Sequence, residues 1–466
     1  MTKPILFIIL FSLGKLSYGQ ECDCNKDFQF LKNQIENNYS GFKDKVTPST
    51  KRVYDSLTNH FIHLSKLTTK RNYCLGLQKQ WITFFKDGHL QIGENKSETK
   101  VDSLQIKKMI QETETIKISS KKLGKLKASK GIEGIYYTVD STYTIAVIKN
   151  KTSFRDYVGV IVNSKTKLWT PNQVKLELKE LSKDKFIAYT YYQDHSGHIT
   201  EYSFDGTSLN NGTWVKYNAT PKDNNRQQFA PIQTKKLTDK TFYIQIGSFD
   251  PWNSQAIDSV FKLNETILKS TPNLILDLRG NGGGVDDAFK PIEPYLYTKP
   301  IVNIGVDVIA SKDNINSWKA LLDYPELDQS IKDWVKTITD KMELNEGELV
   351  NVVVDDEITF ESIEPFPKKV VILIDGESKS TTEQFLLRAI QSEKVTLIGQ
   401  NSGGVLDYSN VRDAIYPDGI FTLYYPTTRS RRIDMGEGID SIGIKPNIYL
   451  SGNKDWIIEA INHLKN

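Results

Sequence analysis

Hydrophobic spacing changes character twice along the chain, from helical to alternating and then to buried runs separated by helices. From Asp27 to about Thr115 the spacing is helical: Phe28, Leu31, Ile35 and Tyr39 share one face, and Val53, Leu57, Phe61 and Leu64 another. Leu77, Trp81, Phe84 and Phe85 continue it, Asp87-Gly88 supplies a stop, and His89 opens a short strand from Leu90 to Ile92. From Ile132 to Tyr217 short runs rich in Tyr, Val, Ile and Thr take over: 135–139, 143–148, 157–162, 174–178, 186–192, 199–204 and 213–217. Turn residues such as Asp194 to Gly197 and Asn210 to Gly212 punctuate them, which predicts an antiparallel barrel or sandwich. Lysine-rich 117–130 reads as a solvated connector, and polar 218–236, with Pro221 and Pro231, as a linker.

Beyond the linker, strands alternate with helices. Thr241 to Ile246, a helix from Trp252 to Ser270, and Leu274 to Leu278 make a βαβ unit. Residues 306–349 are helical and amphipathic in part, a candidate cover for a cleft. Val370 to Ile374, a helix through Ile390, Val395 to Ile398, a hairpin turning at Tyr416-Pro417-Asp418-Gly419 and a closing helix from Trp456 to Leu464 complete an α/β domain. The expected fold is multidomain α+β: a helical N-terminal unit over 20–116, a β-rich domain over 132–217 and an α/β domain over 237–466.

Two turns in the α/β domain carry candidate chemistry. The first, Leu276-Asp277-Leu278-Arg279-Gly280-Asn281-Gly282-Gly283-Gly284, leads from a buried strand into glycines whose N–H groups can approach a ligand closely and suit an oxyanion or a carboxylate. The second, Asp375-Gly376-Glu377-Ser378-Lys379-Ser380-Thr381-Thr382-Glu383, joins a strand to a helix. A nucleophile there gains from the positive end of the helix dipole, although Ser380 and Glu383 equally satisfy ordinary helix capping.

Together the two turns resemble those of the tail-specific, or C-terminal processing, family of serine peptidases, in which a DLRGNGGG-like segment precedes a turn of the type S-x-S-x-x-E. Lys86-Asp87-Gly88-His89 matches a DGH motif common before that family's central domain. The resemblance is strongest from about Thr241 to Leu450 and implies a protease domain of that fold, with Ser380 as nucleophile ahead of Ser378 and an oxyanion hole from the amides of Gly282 or Gly283 and of Thr381. Many members use a lysine base about twenty-five residues past the serine; Val405 stands there, and Lys394 sits at a helix end. The resemblance therefore points to the tricorn-like branch, with His89 as base, because a neutral imidazole takes a hydroxyl proton near pH 7 where an ordinary lysine does not. The segment Gly436-Glu437-Gly438-Ile439-Asp440 through Asn447 resembles the family's closing I-E-G-x-G-x-x-P-D motif. Asp440 there replaces the usual glutamate and is the first candidate to orient His89, Glu437 the second. The family's PDZ-type carboxylate-binding loop has no counterpart in the β-rich domain.

The implied activity is hydrolysis of peptide or protein substrates through an acyl-enzyme on Ser380. Alternatives are a non-catalytic relative that binds peptides or hydrophobic ligands, or a small-molecule esterase or amidase. No cysteine pair has zinc-finger spacing and no phosphate-cradling loop is present; His60 with His63 and His195 with His198 lack a convincing third ligand, so no cofactor or metal is expected. A net charge of +3 recommends no nucleic-acid partner. Lys3, the apolar run from Ile5 to Leu13 and Ser17-Tyr18-Gly19 read as a secretory signal peptide over 1–19, too short to be a permanent membrane anchor. The mature chain is then exported, to the periplasm or beyond the cell, with the absence of a sorting domain after Leu450 favouring the periplasm. Export permits one disulfide, Cys74 with Cys22 or Cys24, leaving one thiol. The oligomeric state has no signature in the chain.

Overall fold

The computed structural model describes residues 22–95, 103–219, 232–325, 327, 329–451 and 454–465. The segment expected as a signal peptide and residues 220–231 of the expected linker lie outside these residues, while 232–236 of that linker belong to the strand Ile232–Thr238. Contacts divide the chain into two compact units. One takes the described residues within 1–29, 57–81 and 97–224, the other those within 30–56, 82–96 and 225–466. The N-terminal helices, Cys24–Asn38, Phe42–Lys45, Lys51–Ser65, Arg71–Ile82 and Ser103–Glu112, contribute residues to both units. Among the described residues no helix is long and apolar enough to cross a membrane.

The first unit is built on an eight-stranded antiparallel sheet in the order Gly197–Ser203, Lys185–Tyr191, Val174–Ser182, Tyr157–Ser164, Tyr143–Lys149, Gly134–Thr138, Trp214–Lys216, Ser208–Leu209. A bridge between Phe204 and Leu209 joins its two ends, giving the sheet a barrel-like form. Period two explains why both faces are buried. Ile145, Val147, Leu176, Leu178 and Phe186 fill one face with Trp169 and Trp214. Ala146, Ile148, Val158, Val160 and Val174 line the other, against Leu123 and Leu126. The last two residues correct the reading of 117–130 as a solvated connector. Within it lies the helix Ser120–Leu126, capped by Ser119, whose Leu126 is buried and Leu123 half-buried while its lysines face out. Cys24 pairs with Cys74 at a Cα separation of 5.4 Å, and Cys22 keeps a buried thiol. Closing a loop of 50 residues this way stabilises the fold by about 4 kcal/mol in the chain-entropy account.

The second unit holds a six-stranded sheet in the order Ile232–Thr238, Thr241–Ile246, Asn273–Asp277, Lys369–Ile374, Val395–Gly399, Ile448–Tyr449. Its first pair is antiparallel and the rest are parallel. Side chains alternate between two cores. Ile244, Leu274, Leu276, Val370 and Ile372 pack under Ile257 and Phe261 of the helix Pro251–Leu263 and under Phe385 and Leu386 of the helix Thr381–Ala389. Tyr243, Ile275, Val371 and Leu373 pack on the other face against Trp456, Ala460 and Leu464. Being covered on both faces is why these strands read as continuous apolar runs.

A second sheet in this unit is centred on Phe421–Ser430. Tyr408–Ile415 pairs along one edge, and Gln91–Glu94 and Val306–Ile309 pair along other stretches of the same strand. Segment 306–349 is thus more than helical. Strands Val306–Ile309 and Leu349–Val353, which pair with each other, bracket the helices Lys312–Lys319 and Gln329–Glu343. The alternation that makes these strands is too short to stand out beside the helical pattern.

Candidate active site

Ser380 stands between the strand Lys369–Ile374 and the helix Thr381–Ala389, with φ 56° and ψ −123°. A positive φ at a residue with a side chain costs on the order of 1–3 kcal/mol and persists only where the surroundings impose it. Here Lys379 N–H donates to the Asn281 carbonyl at 3.1 Å, and Thr382 Oγ1 donates to Asn281 Oδ1 at 2.8 Å. Ser380 N–H donates to Glu383 Oε2 at 3.2 Å. Glu383 is fully buried and also accepts from Ser402 Oγ (2.5 Å), Gly404 N–H (2.7 Å) and Val405 N–H (2.8 Å), binding the serine turn to loop 402–405. The carboxylate half of the capping box is thus kept, while the Ser380 hydroxyl meets His89. Ser378 does a different job: fully buried, it donates to the Leu278 carbonyl at 2.9 Å and accepts Asp375 N–H at 3.1 Å.

His89 Nε2 lies 3.1 Å from Ser380 Oγ, across 291 residues of sequence. Its Nδ1 lies 2.7 Å from the Tyr408 carbonyl oxygen. A carbonyl can only accept, so Nδ1 carries the hydrogen and Nε2 presents its lone pair to the serine hydroxyl. That is the tautomer a general base requires. The histidine main chain is also held: its N–H donates to Asp87 Oδ1 at 2.8 Å, and Tyr39 Oη donates to Asp87 Oδ2 at 2.8 Å. Burial raises the Asp87 pKa, opposed by the His89 charge and by these bonds. Val405, at the position a lysine base would take, packs on the turn before His89; a Cβ on Gly88 would come 2.8 Å from its methyl. Lys394 is engaged elsewhere, donating to the Glu364 and Tyr295 carbonyls.

Neither expected carboxylate holds Nδ1, and the Tyr408 carbonyl replaces both. Asp440 Oδ1 accepts the N–H groups of Leu406 (2.8 Å) and Asp407 (2.7 Å). Asp407 in turn accepts those of Ile439 and Asp440 and faces Arg432. This reciprocal clamp fixes the main chain leading into Tyr408, so Asp440 acts on His89 only through the backbone. Burial first, and the nearby Asp87 charge second, push the Asp440 carboxyl up to about 7, and its Oδ2 is buried without a partner. Glu437 is exposed and engages Arg432 through its main chain. An aspartate is one methylene shorter than the glutamate of the family motif, and a main-chain carbonyl leaves no residue-type signal, so composition could not reveal the Tyr408 contact. Asn447 Oδ1 accepts Leu397 N–H at 2.7 Å, a structural tie to the strand Val395–Gly399.

The glycine turn also departs from expectation at one donor. Gly283 N–H donates to Asn281 Oδ1 at 3.0 Å and is therefore occupied. Gly283 serves by lacking a side chain: at φ 105°, a Cβ would lie 2.8 Å from both the Lys379 carbonyl oxygen and Ser380 Cβ. Among the described residues the N–H groups of Gly282, which is exposed, and of Thr381 donate to none. They remain as candidate oxyanion donors. Asn281, which the sequence reading passed over, organises the turn: fully buried, it donates to the Ile246 carbonyl at 3.1 Å and accepts from Gly283 and Thr382. A lone carboxamide inside a glycine run was its signal.

Residues 240–450 match Peptidase family S41. The matched segment contains Gly282, Asn281, Ser380, Glu383 and Asp440, while His89 precedes it. No curated protein sequence matches the chain. Among solved structures it is similar to mature CPAF complexed with lactacystin, at 14% identity and a TM-score of 0.48 over 95% of this chain and 97% of that one. It is also similar to the photosystem II D1 C-terminal processing protease (10% identity, TM-score 0.39, 92% and 93% covered). For the tricorn protease the values are 14% and 0.39, with 95% of this chain and 37% of that one covered.

Proposed function

We propose that the protein is an exported serine peptidase of the histidine-using kind, cleaving peptide or protein substrates through an acyl-enzyme on Ser380. One observation carries the reading: Ser380 Oγ stands 3.1 Å from a His89 Nε2 whose lone pair is assured by the bond from Nδ1 to Tyr408. Ser380 attacks the scissile carbonyl carbon as its proton passes to Nε2. The oxyanion is stabilised by the N–H groups of Gly282 and Thr381 at the positive end of the helix Thr381–Ala389. His89 then gives the proton to the leaving amine, and water, activated by the same nitrogen, releases the acyl group. Intact-mass analysis after incubation with a fluorophosphonate tests this. One adduct is expected on the parent, none on Ser380→Ala, and much slower addition on His89→Ala; a folded parent that takes no label rejects the reading.

A second reading has one observation in its favour: among the described residues His89 Nδ1 meets the Tyr408 carbonyl and no carboxylate. A carbonyl stabilises the developing imidazolium less than a charged acid, as suits a slow enzyme or a non-catalytic binder of peptides or hydrophobic ligands. Labelling without peptide release would favour an esterase or amidase acting on small molecules. Export belongs to the same proposal, and the mature N-terminus of the protein recovered outside the cytoplasm is expected at Gln20.

A further inference from the structure

Arg412 is the arginine between residues 279 and 432 that lacks an acid. Arg279 pairs with Asp277, Arg388 with Glu293, Arg429 with Asp44 and Asp434, Arg431 with Asp355 and Arg432 with Asp407, all within 4.0 Å. Arg412 has no ion pair among the described residues. Its one hydrogen bond goes from Nη1 to the carbonyl of its own neighbour Val411, and its Nε is buried without a partner. Asp413 follows it in sequence, but along a strand successive side chains point to opposite faces. Burial lowers the pKa of the guanidinium, with Tyr425, Asp413 and Tyr324 opposing that effect. A partly buried charge left uncompensated is costly, and a carboxylate offering two oxygens to the guanidinium fork removes the cost.

The surroundings are built to hold this side chain in place. The guanidinium lies 4.9 Å above the Trp318 ring. Trp318 is buried and anchored by its indole N–H on Thr427 Oγ1 at 3.2 Å. Trp334 packs on Trp318 with centroids 5.8 Å apart and is 44% exposed; Tyr324 is 61% exposed. An arginine on an aromatic platform with exposed aromatic neighbours is the composition of a binding hot spot. Arg412 stands four residues along the strand Tyr408–Ile415 from the residue whose carbonyl orients His89. Asn410, between them, has φ 52°, so at strand rise the span is at most about 13 Å, within reach of about four residues of extended peptide.

We propose that Arg412, seated on Trp318 with Tyr324 nearby, is a subsite for an acidic side chain of an extended peptide substrate, about four residues from the bond that is cut. The inference rests on the peptidase reading for its substrate class, and its test separates the two. Fluorescein-labelled decapeptides carrying glutamate or glutamine at each position in turn are titrated against the Ser380→Ala protein by anisotropy, and the unlabelled pairs are given to the parent enzyme. A glutamate about four residues from the cleavage position is expected to bind and react about tenfold better than its glutamine counterpart. In Arg412→Gln that ratio falls to about one, and Arg412→Lys keeps part of it, since a point charge replaces the fork. Equal affinity of the Ser380→Ala protein for glutamate and glutamine peptides, with equal turnover of the two by the parent, overturns the subsite. Selective binding by Ser380→Ala with no hydrolysis by the parent upholds the subsite and rejects the peptidase. Hydrolysis without discrimination does the reverse.

Discussion

Replacing Asp440 by asparagine separates two ways of assisting His89. If the Asp440 carboxylate oriented the imidazole directly, the neutral amide would cost on the order of 10⁴ in kcat, as in the serine-protease triad. In this structure Asp440 Oδ1 only receives the N–H groups of Leu406 and Asp407, and an asparagine oxygen can receive both. We expect kcat/KM of Asp440→Asn to fall less than tenfold. Stability moves the opposite way. Burial raises the carboxyl pKa from its ordinary range to about 7 on folding, so the folded state binds the proton more tightly than the unfolded chain. Its favourable contribution is full below about pH 4 and is lost as pH rises through about 7. A shift of that size corresponds to about 4 kcal/mol, an upper figure because Asp87 shares the interaction. Asparagine cannot ionise, so relative to the parent the variant gains stability as pH rises and the gain levels off above about pH 7. Urea unfolding at pH 4.5, 6 and 8, with peptide or ester turnover at pH 7.5, reads both effects. A thousandfold loss of kcat/KM in a folded variant, or a stability difference that does not change with pH, would refute the main-chain clamp.

Other changes probe separate parts of the site. Gly283→Ala places a Cβ 2.8 Å from the Lys379 carbonyl oxygen and Ser380 Cβ at φ 105°; it should lower fluorophosphonate labelling at least a hundredfold and destabilise by roughly 1–3 kcal/mol. Ser378→Ala leaves Asp375 N–H without its acceptor and should cost about 1–3 kcal/mol in urea unfolding while labelling persists, the converse of Ser380→Ala. Glu383→Ala removes the acceptor of four donors and should abolish labelling together with at least about 3 kcal/mol of stability; a stable, fully reactive variant would contradict its anchoring role. Thiol titration under denaturing, non-reducing conditions should find the Cys22 thiol alone, and reduction should expose Cys24 and Cys74 and lower stability by about 4 kcal/mol.

Much of this molecule is local in origin, and that part was legible. The strands from Gly134 to Ser203, with Thr241–Ile246, Asn273–Asp277, Lys369–Ile374 and Val395–Gly399, follow runs whose period, length and flanking turns are properties of a few consecutive residues. Ser380 and His89 were singled out through the resemblance of their short motifs to a known family, since local turn chemistry alone suits helix capping at Ser380 and a surface turn at His89 equally well. The helix Ser120–Leu126 was hidden because its lysines outnumber Leu123 and Leu126, and burial is decided by what packs above it. Cys22 and Cys24 are chemically equal partners for Cys74; only the placement of the helix Cys24–Asn38 chooses between them. The histidine's orienting contact is the clearest case. Every residue has a carbonyl, so which one meets Nδ1 depends on how the strand Tyr408–Ile415 lies beside residue 89, and that is set by its pairing with Phe421–Ser430 and by the clamp between Asp407 and Asp440. Residue types and their spacing therefore carry the candidate nucleophile and base and most layers of the fold. The hydrogen bonds that make them a site join main-chain groups far apart in sequence, and those exist only once the sheets have closed.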